Sequence, residues 1–140
     1  MYEMKVLTIK QPFANLIIEN KKVYEFRTWK TNYRGKILIH AGLNIDKPSH
    51  ERLKKYTTDI LTGYIIGEAE IIDCLKCNED FKNKCLKINK DIYKNIDCEK
   101  DYAWKLINIK KYSNPIKIKG KLGLWNYDAT ENIQKKPDNM

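Results

Sequence analysis

Between Val6 and Gly42 the apolar residues change spacing twice, which demands a strand, a helix and two more strands in close succession. Val6, Leu7 and Ile9 form a short apolar run that stops at Gln11-Pro12. Pro12 suits the first turn of a helix, because the N–H it lacks would have no partner there. Phe13, Leu16 and Ile17 then recur at helical spacing. Asn20 can end that helix in a left-handed conformation. Val23 to Trp29 reads as a strand, being β-branched, aromatic or alternating. Arg34-Gly35 marks a turn, and Lys36 to His40 alternates again as a further strand.

Successive strand residues point to opposite faces. Val23, Glu25, Arg27 and Trp29 therefore share one face of the middle strand, and Tyr24, Phe26 and Thr28 the other. An acid, a base and a tryptophan make a poor core face and a good wall for a polar, aromatic cleft. Lys22 sits at the helix-to-strand corner and can lean over that wall. A plainer reading stands beside this one: Glu25 and Arg27 as a surface cross-strand pair worth under about 1 kcal/mol, and Trp29 as a core or strand-end aromatic.

Further along, Lys47 to Asp59 reads as a polar helix with Pro48 early in it and His50 on its exposed side. Tyr64 to Leu75 is a strong strand in which Gly67 suits a bulge or the close approach of another backbone. Glu68 and Glu70 face solvent or pair with lysines of a neighbouring strand. Residues 78–100 read as one or two short helices inserted between strands. Asp101 to Lys111 is a strand, and Asn114-Pro115 is a turn. Ile116 and Ile118 alternate with Lys117 and Lys119, and Lys117 is expected to face away from the cleft. Leu124 to Tyr127 closes the sheet.

At 140 residues the chain is read as one domain over 1–128, with 129–140 as a flexible tail. No apolar run approaches the ~20 residues that span a bilayer, and the first residues lack a signal-peptide pattern; a cytoplasmic location is expected, with no membrane partner. The net charge of +9 is uneven. Residues 1–40 carry eight Lys/Arg against three acids, and residues 105–125 carry six lysines and no acid. A focused basic surface with aromatics suits a phosphate backbone. The alternative is compositional, since the chain is rich in Lys, Ile and Asn together and a charge run is often plain solvated surface.

Cys74 and Cys77 form C-x2-C, half of a zinc pattern, but Cys85 and Cys98 do not supply the other half and no histidine lies nearby. No metal, no cofactor and no disulfide is expected; reduced thiols suit a cytosolic chain.

The pattern Leu7-x-Ile9-x-Gln11-Pro12-Phe13-Ala14, then Lys22-x-x-Glu25-x-Arg27-x-Trp29, then Arg34-Gly35-x-Ile37-Leu38-Ile39-His40-Ala41, resembles the ASCH (activating-signal co-integrator homology) domain, a PUA-like family. Lys119-Gly120-x-x-Gly123-Leu124-Trp125 looks like the closing strand of the same family, so the resemblance covers about residues 4–127. It implies an α+β fold, a mixed, mostly antiparallel PUA-like β-barrel with a few flanking helices, and binding of nucleic acid, mostly RNA, in a cleft. Some small bacterial members are amidohydrolases acting on N4-acetylcytidine through a lysine, a threonine and a glutamate. Lys22 matches that lysine, but Glu25 stands where the threonine would. Other members are linked to ribonuclease activity. The co-integrator branch, which Lys-x-x-Glu-x-Arg-x-Trp resembles more, is a binding module.

On this reading the site gathers Lys10, Gln11, Lys22, Glu25, Arg27 and Trp29, with His40 joining from the third strand and Lys119 and Lys121 at the rim. Lysines and arginines neutralise phosphates, and arginine can also grip a base edge. Tryptophan stacks an unpaired base. Gln11 and Glu25 can hydrogen-bond base edges. In an enzyme, Lys22 and Glu25 would be the catalytic pair. His40, on an apolar strand, more often satisfies structure than catalysis. Three functions follow: a module for RNA or single-stranded nucleic acid, a small enzyme acting on a modified nucleoside or RNA, and a protein–protein adaptor on the same scaffold.

Overall fold

The computed structural model describes residues 3–57 and 59–128. The tail expected over 129–140 lies outside the described residues. The elements are β1 (Glu3–Gln11), α1 (Phe13–Ile18), β2 (Tyr24–Arg27), β3 (Gly35–Ile45), α2 (Lys47–Leu53) with a further 3-10 turn at Lys54–Tyr56, β4 (Tyr64–Lys76), α3 (Glu79–Ile88), β5 (Tyr102–Lys117) and β6 (Leu124–Asp128).

The first three strands and the helix follow the spacing of their apolar residues. Pro12 takes the N-cap position of α1, one residue before its first turn. Asn20 leaves the helix at a φ of 62°, the left-handed exit its short polar side chain tolerates. α1 buries Ala14, Leu16, Ile17 and Ile18. Asp46 caps α2 by accepting from the Ser49 N–H at 3.1 Å.

The strands form one sheet in the order β2-β5-β4-β3-β1-β6, in which β1 and β3 run parallel and the other pairs antiparallel. Its interior holds Leu7, Ile9, Ile17, Ile37, Ile39, Ile71, Trp104 and Leu106, each large aliphatic or aromatic worth up to about 1.5–3 kcal/mol on burial. α3 and the segment after it cover a second cluster that joins Leu16 and Tyr24 to Cys77, Cys85, Ile92, Tyr93 and Ile96. The fold is therefore α+β, with a mostly antiparallel, barrel-like sheet. Strand pairing does not close the barrel: β2 and β6 are the two ends of the ladder. Side chains bridge the gap instead. Arg27 on β2 donates to the backbone oxygen of Thr8 on β1 at 2.6 Å.

Gly67 is required where it stands. A Cβ there would overlap the Lys110 carbonyl and lie 2.6 Å from Ile18 Cδ1, so β5 and α1 both approach the bare backbone. The expected turn at Asn114-Pro115 is not a turn. Both residues lie within β5, inside a bulge: Gly67 faces Lys111 and Ile65 faces Ile116, so two steps on β4 oppose five on β5. A bulge leaves its extra residues out of the ladder, so a proline without an N–H costs nothing there. Glu68 pairs with Lys36 of β3 at 3.4 Å, and Glu70 accepts from Asn108 Nδ2 of β5 at 2.8 Å. Among the described residues no helix is long and apolar enough to cross a membrane.

Candidate functional site

The turn after α1 aims Lys22 inward. The Leu16 carbonyl accepts from the N–H groups of both Lys21 and Lys22, at 2.8 and 3.1 Å, and the chain folds back sharply before β2 begins. The Lys22 ammonium then lies over the rings of Phe13 and Phe26, at 5.5 and 4.8 Å from their centroids. It donates to the Tyr24 carbonyl and lies 3.3 Å from Glu25 Oε1. The second Glu25 oxygen accepts from Arg27 Nε at 3.0 Å. Lys22 and Glu25 are 4% and 7% exposed, so this is a buried cation–anion–cation array and not a surface pair. Burial holds the Lys22 ammonium below its ordinary pKa of 10.5, and the Glu25 carboxylate opposes that shift without cancelling it.

The array forms one wall of a cavity of about 830 Å³. Lys22, Glu25 and Arg27 line it together with Phe13 and Phe26. Thr8, Ile9 and Lys10 contribute from β1, and His40 and Leu43 from β3. Ile92, Tyr93 and Ile96, from the segment between α3 and β5, form an apolar side. Tyr93 ties that segment to the residue before β2 by accepting from the Val23 N–H at 2.8 Å, and burial pushes its phenol up to about 12. The end of β5 supplies Lys117, and the loop after it Lys119, Lys121 and Leu122. Lys10, Lys117, Lys119 and Lys121 are exposed. Among the described residues none of the four takes part in an ion pair.

His40 is 2% exposed and holds this loop in place. Its Nε2 donates to the Ile118 carbonyl at 2.9 Å, and its Nδ1 lies 3.4 Å from Thr8 Oγ1. Thr8 Oγ1 in turn donates to the Lys121 carbonyl at 2.6 Å and accepts from Trp125 Nε1 at 2.9 Å.

Of the residues singled out in the sequence, the fold brings Lys10, Lys22, Glu25, Arg27, His40, Lys119 and Lys121 to one cavity. Two lie elsewhere. Gln11 is fully buried beside α1; its amide donates to Asn15 Oδ1 and to the Leu61 carbonyl, both at 2.8 Å, and accepts from the Asn15 N–H at 2.9 Å. With both amide hydrogens and the amide oxygen engaged inside the protein, it is absent from the cavity lining. Trp29 lies past the end of β2, packs edge-on against Trp104 at 4.7 Å and gives its carbonyl to Trp104 Nε1 at 3.3 Å. It is absent from the cavity lining. Lys117, by contrast, lines the cavity, against the expectation that it faces away. Phe13, Phe26 and Tyr93 were not signalled as lining residues. Phe26 alternates with Glu25, yet both line the cavity, because β2 is a four-residue edge strand with ladder bonds to β5 alone.

The cysteines are free, and Cys74, Cys77 and Cys85 are buried. Burial pushes the Cys77 thiol up to about 11, which suits packing and not nucleophilic or metal chemistry. Among the described residues no group of three His, Cys, Asp or Glu is placed to hold a metal ion.

The family model described as the ASCH domain matches residues 7–118. Activating signal cointegrator 1 of Homo sapiens is 26% identical over 139 residues, covering 88% of this chain, which spans about a fifth (22%) of that protein's length. The crystal structure of ASCH from Zymomonas mobilis superposes with a TM-score of 0.60 at 17% identity, over 96% of this chain and 94% of that one. A mutant form of the same bacterial protein gives a TM-score of 0.61 at 15% identity, over 98% and 96%. At such identities the likeness is one of fold.

Proposed function

The chain belongs to the ASCH domain family, and from that membership we propose that it is a binding module for RNA or single-stranded nucleic acid. The family as a whole is associated with nucleic-acid binding. The observation that carries the reading here is the rim of Lys10, Lys117, Lys119 and Lys121, exposed and free of ion pairs among the described residues, around a cavity with aromatic walls. Phosphates need neutralising charge along a track, and an unstacked base needs an apolar, aromatic recess with a few polar groups. The backbone lies across the lysine rim, and one base enters the cavity toward Glu25 and Arg27. Those two groups offer an acceptor and a donor at its floor. Trp29 and Gln11 lie outside the cavity lining.

A second reading has one observation of its own. Lys22 is a buried amine held below its usual pKa, in contact with a carboxylate. That pair suits proton transfer in an amidohydrolase of the N4-acetylcytidine type or in a ribonuclease. Glu25 occupies the place of the hydroxyl such an amidohydrolase would use, so water would have to be the nucleophile. Both Glu25 oxygens are already occupied by Lys22 and Arg27, and the binding reading is preferred.

The deciding experiment is fluorescence anisotropy with short single-stranded RNA and DNA at low and high salt, run beside an incubation with N4-acetylcytidine assayed for released acetate. Binding that weakens steeply with salt and no acetate is the expected result. Acetate release lost in Lys22→Ala would establish the hydrolase instead. No binding and no turnover would leave the adaptor.

A further inference from the structure

Leu122 is 93% exposed at the mouth of the cavity, yet the loop that carries it is tied down on both sides. The Thr8 N–H donates to the Gly123 carbonyl at 3.1 Å, and Thr8 Oγ1 donates to the Lys121 carbonyl at 2.6 Å. Upstream, the Ile118 N–H donates to the Gly63 carbonyl at 3.1 Å and the Ile118 carbonyl accepts from His40. Gly120 lies so close to the His40 ring that a Cβ would overlap it. Gly123 has a φ of 68°, which turns the chain straight back into β6. An exposed leucine is ordinary by itself. This one is presented on a fixed turn, borders a cavity, and follows Lys119 and Lys121 on the same loop. Leu43, 76% exposed, stands on the same mouth from β3.

A rigid apolar prong beside cations has a recognised use on nucleic acid. It enters a base step, unstacks it, and fills the space left by a displaced base. The displaced base then needs a recess within reach of the prong, and the cavity opens beside Leu122. We propose that the substrate is a paired stretch of nucleic acid, that Leu122 is the wedge that opens it, and that the extruded nucleotide is received in the adjacent cavity. The lysines hold the flanking phosphates while the step opens. This rests on the nucleic-acid-binding reading and adds to it the paired character of the substrate and the residue that breaks the pairing.

The test uses the full chain and an RNA hairpin stem carrying 2-aminopurine at its centre, with the same strand unpaired as reference. Wild type is expected to raise the 2-aminopurine fluorescence of the stem. Leu122→Ala should lower the ratio of stem affinity to unpaired-strand affinity about tenfold and leave the probe quenched. Leu122→Phe should restore the signal. A probe that stays quenched with wild type, while unpaired strands bind in a salt-dependent way, overturns the wedge and leaves the binding module standing. So does Leu122→Ala opening the stem as well as wild type. Failure of wild type to bind either form removes both proposals.

Discussion

The Arg27 guanidinium on β2, at one end of the sheet, donates to the Thr8 carbonyl on β1 at 2.6 Å, joining two strands that no ladder pairs. The same side chain neutralises Glu25. Arg27 thus joins two walls of the cavity and balances its buried acid. In Arg27→Ala both are lost, and a mostly buried carboxylate keeps only Lys22. Stability should fall by about 2–3 kcal/mol, read as a lower urea midpoint, with Arg27→Lys recovering only part because a lysine has no second donor arm.

Lys22 predicts a specific dependence on alkaline pH. Its folded-state pKa is lowered from 10.5, so between the lowered value and 10.5 the unfolded chain binds more protons than the folded one. Stability from this group therefore rises with pH in that window, and its cost is fully present below it. Lys22→Met removes the titration. Denaturation of the two proteins across the alkaline range should show wild type gaining on Lys22→Met as pH rises. A constant difference would show that Lys22 titrates normally.

Each rim lysine should contribute alike to nucleic-acid affinity. Lys10→Ala, Lys117→Ala, Lys119→Ala and Lys121→Ala should each weaken binding across all sequences and reduce the slope of log K against log salt by about 1. Anisotropy titrations at several salt concentrations check this. Lys117 is the informative member, since a slope unchanged in Lys117→Ala would place it outside the phosphate track.

Gly120→Ala should damage the rim from within. The new methyl must displace the His40 ring, which is buried and held through Nε2 to the Ile118 carbonyl. Overpacking of this kind costs about 1–3 kcal/mol. Chemical denaturation should show that loss. Nucleic-acid affinity should fall with it, although no charged group has been removed.

The order of the first elements was legible because each change of apolar spacing is a local property. Lys22, Glu25 and Arg27 were legible because they lie within one short strand and its entry turn, although Phe26, which alternation sends to the other face, lines the cavity with them. Trp29 was not, because β2 ends at Arg27 and the alternation that assigned its face ends there too. The Gln11 side chain, at the end of β1, is turned toward α1 by a hydrogen-bonding partner four residues on, Asn15, which strand periodicity does not see. Lys117 was misassigned for a different reason. The bulge around Asn114-Pro115 inserts an odd number of residues, and an odd shift moves every later side chain to the opposite face. Tyr93 and its neighbours come from a segment remote in sequence, and only the packed second cluster brings them to the cavity.

A backbone ladder cannot be altered by changing a side chain, but a seam made of side chains can. The gap between β2 and β1 is spanned by Arg27 and braced by Glu25, so two codons govern how widely that wall stands open. Substitution there reshapes the chamber while the backbone ladders of the sheet are left as they are. The scaffold thereby separates what must stay constant from what can vary with the guest, and the variable part lies beside the guest.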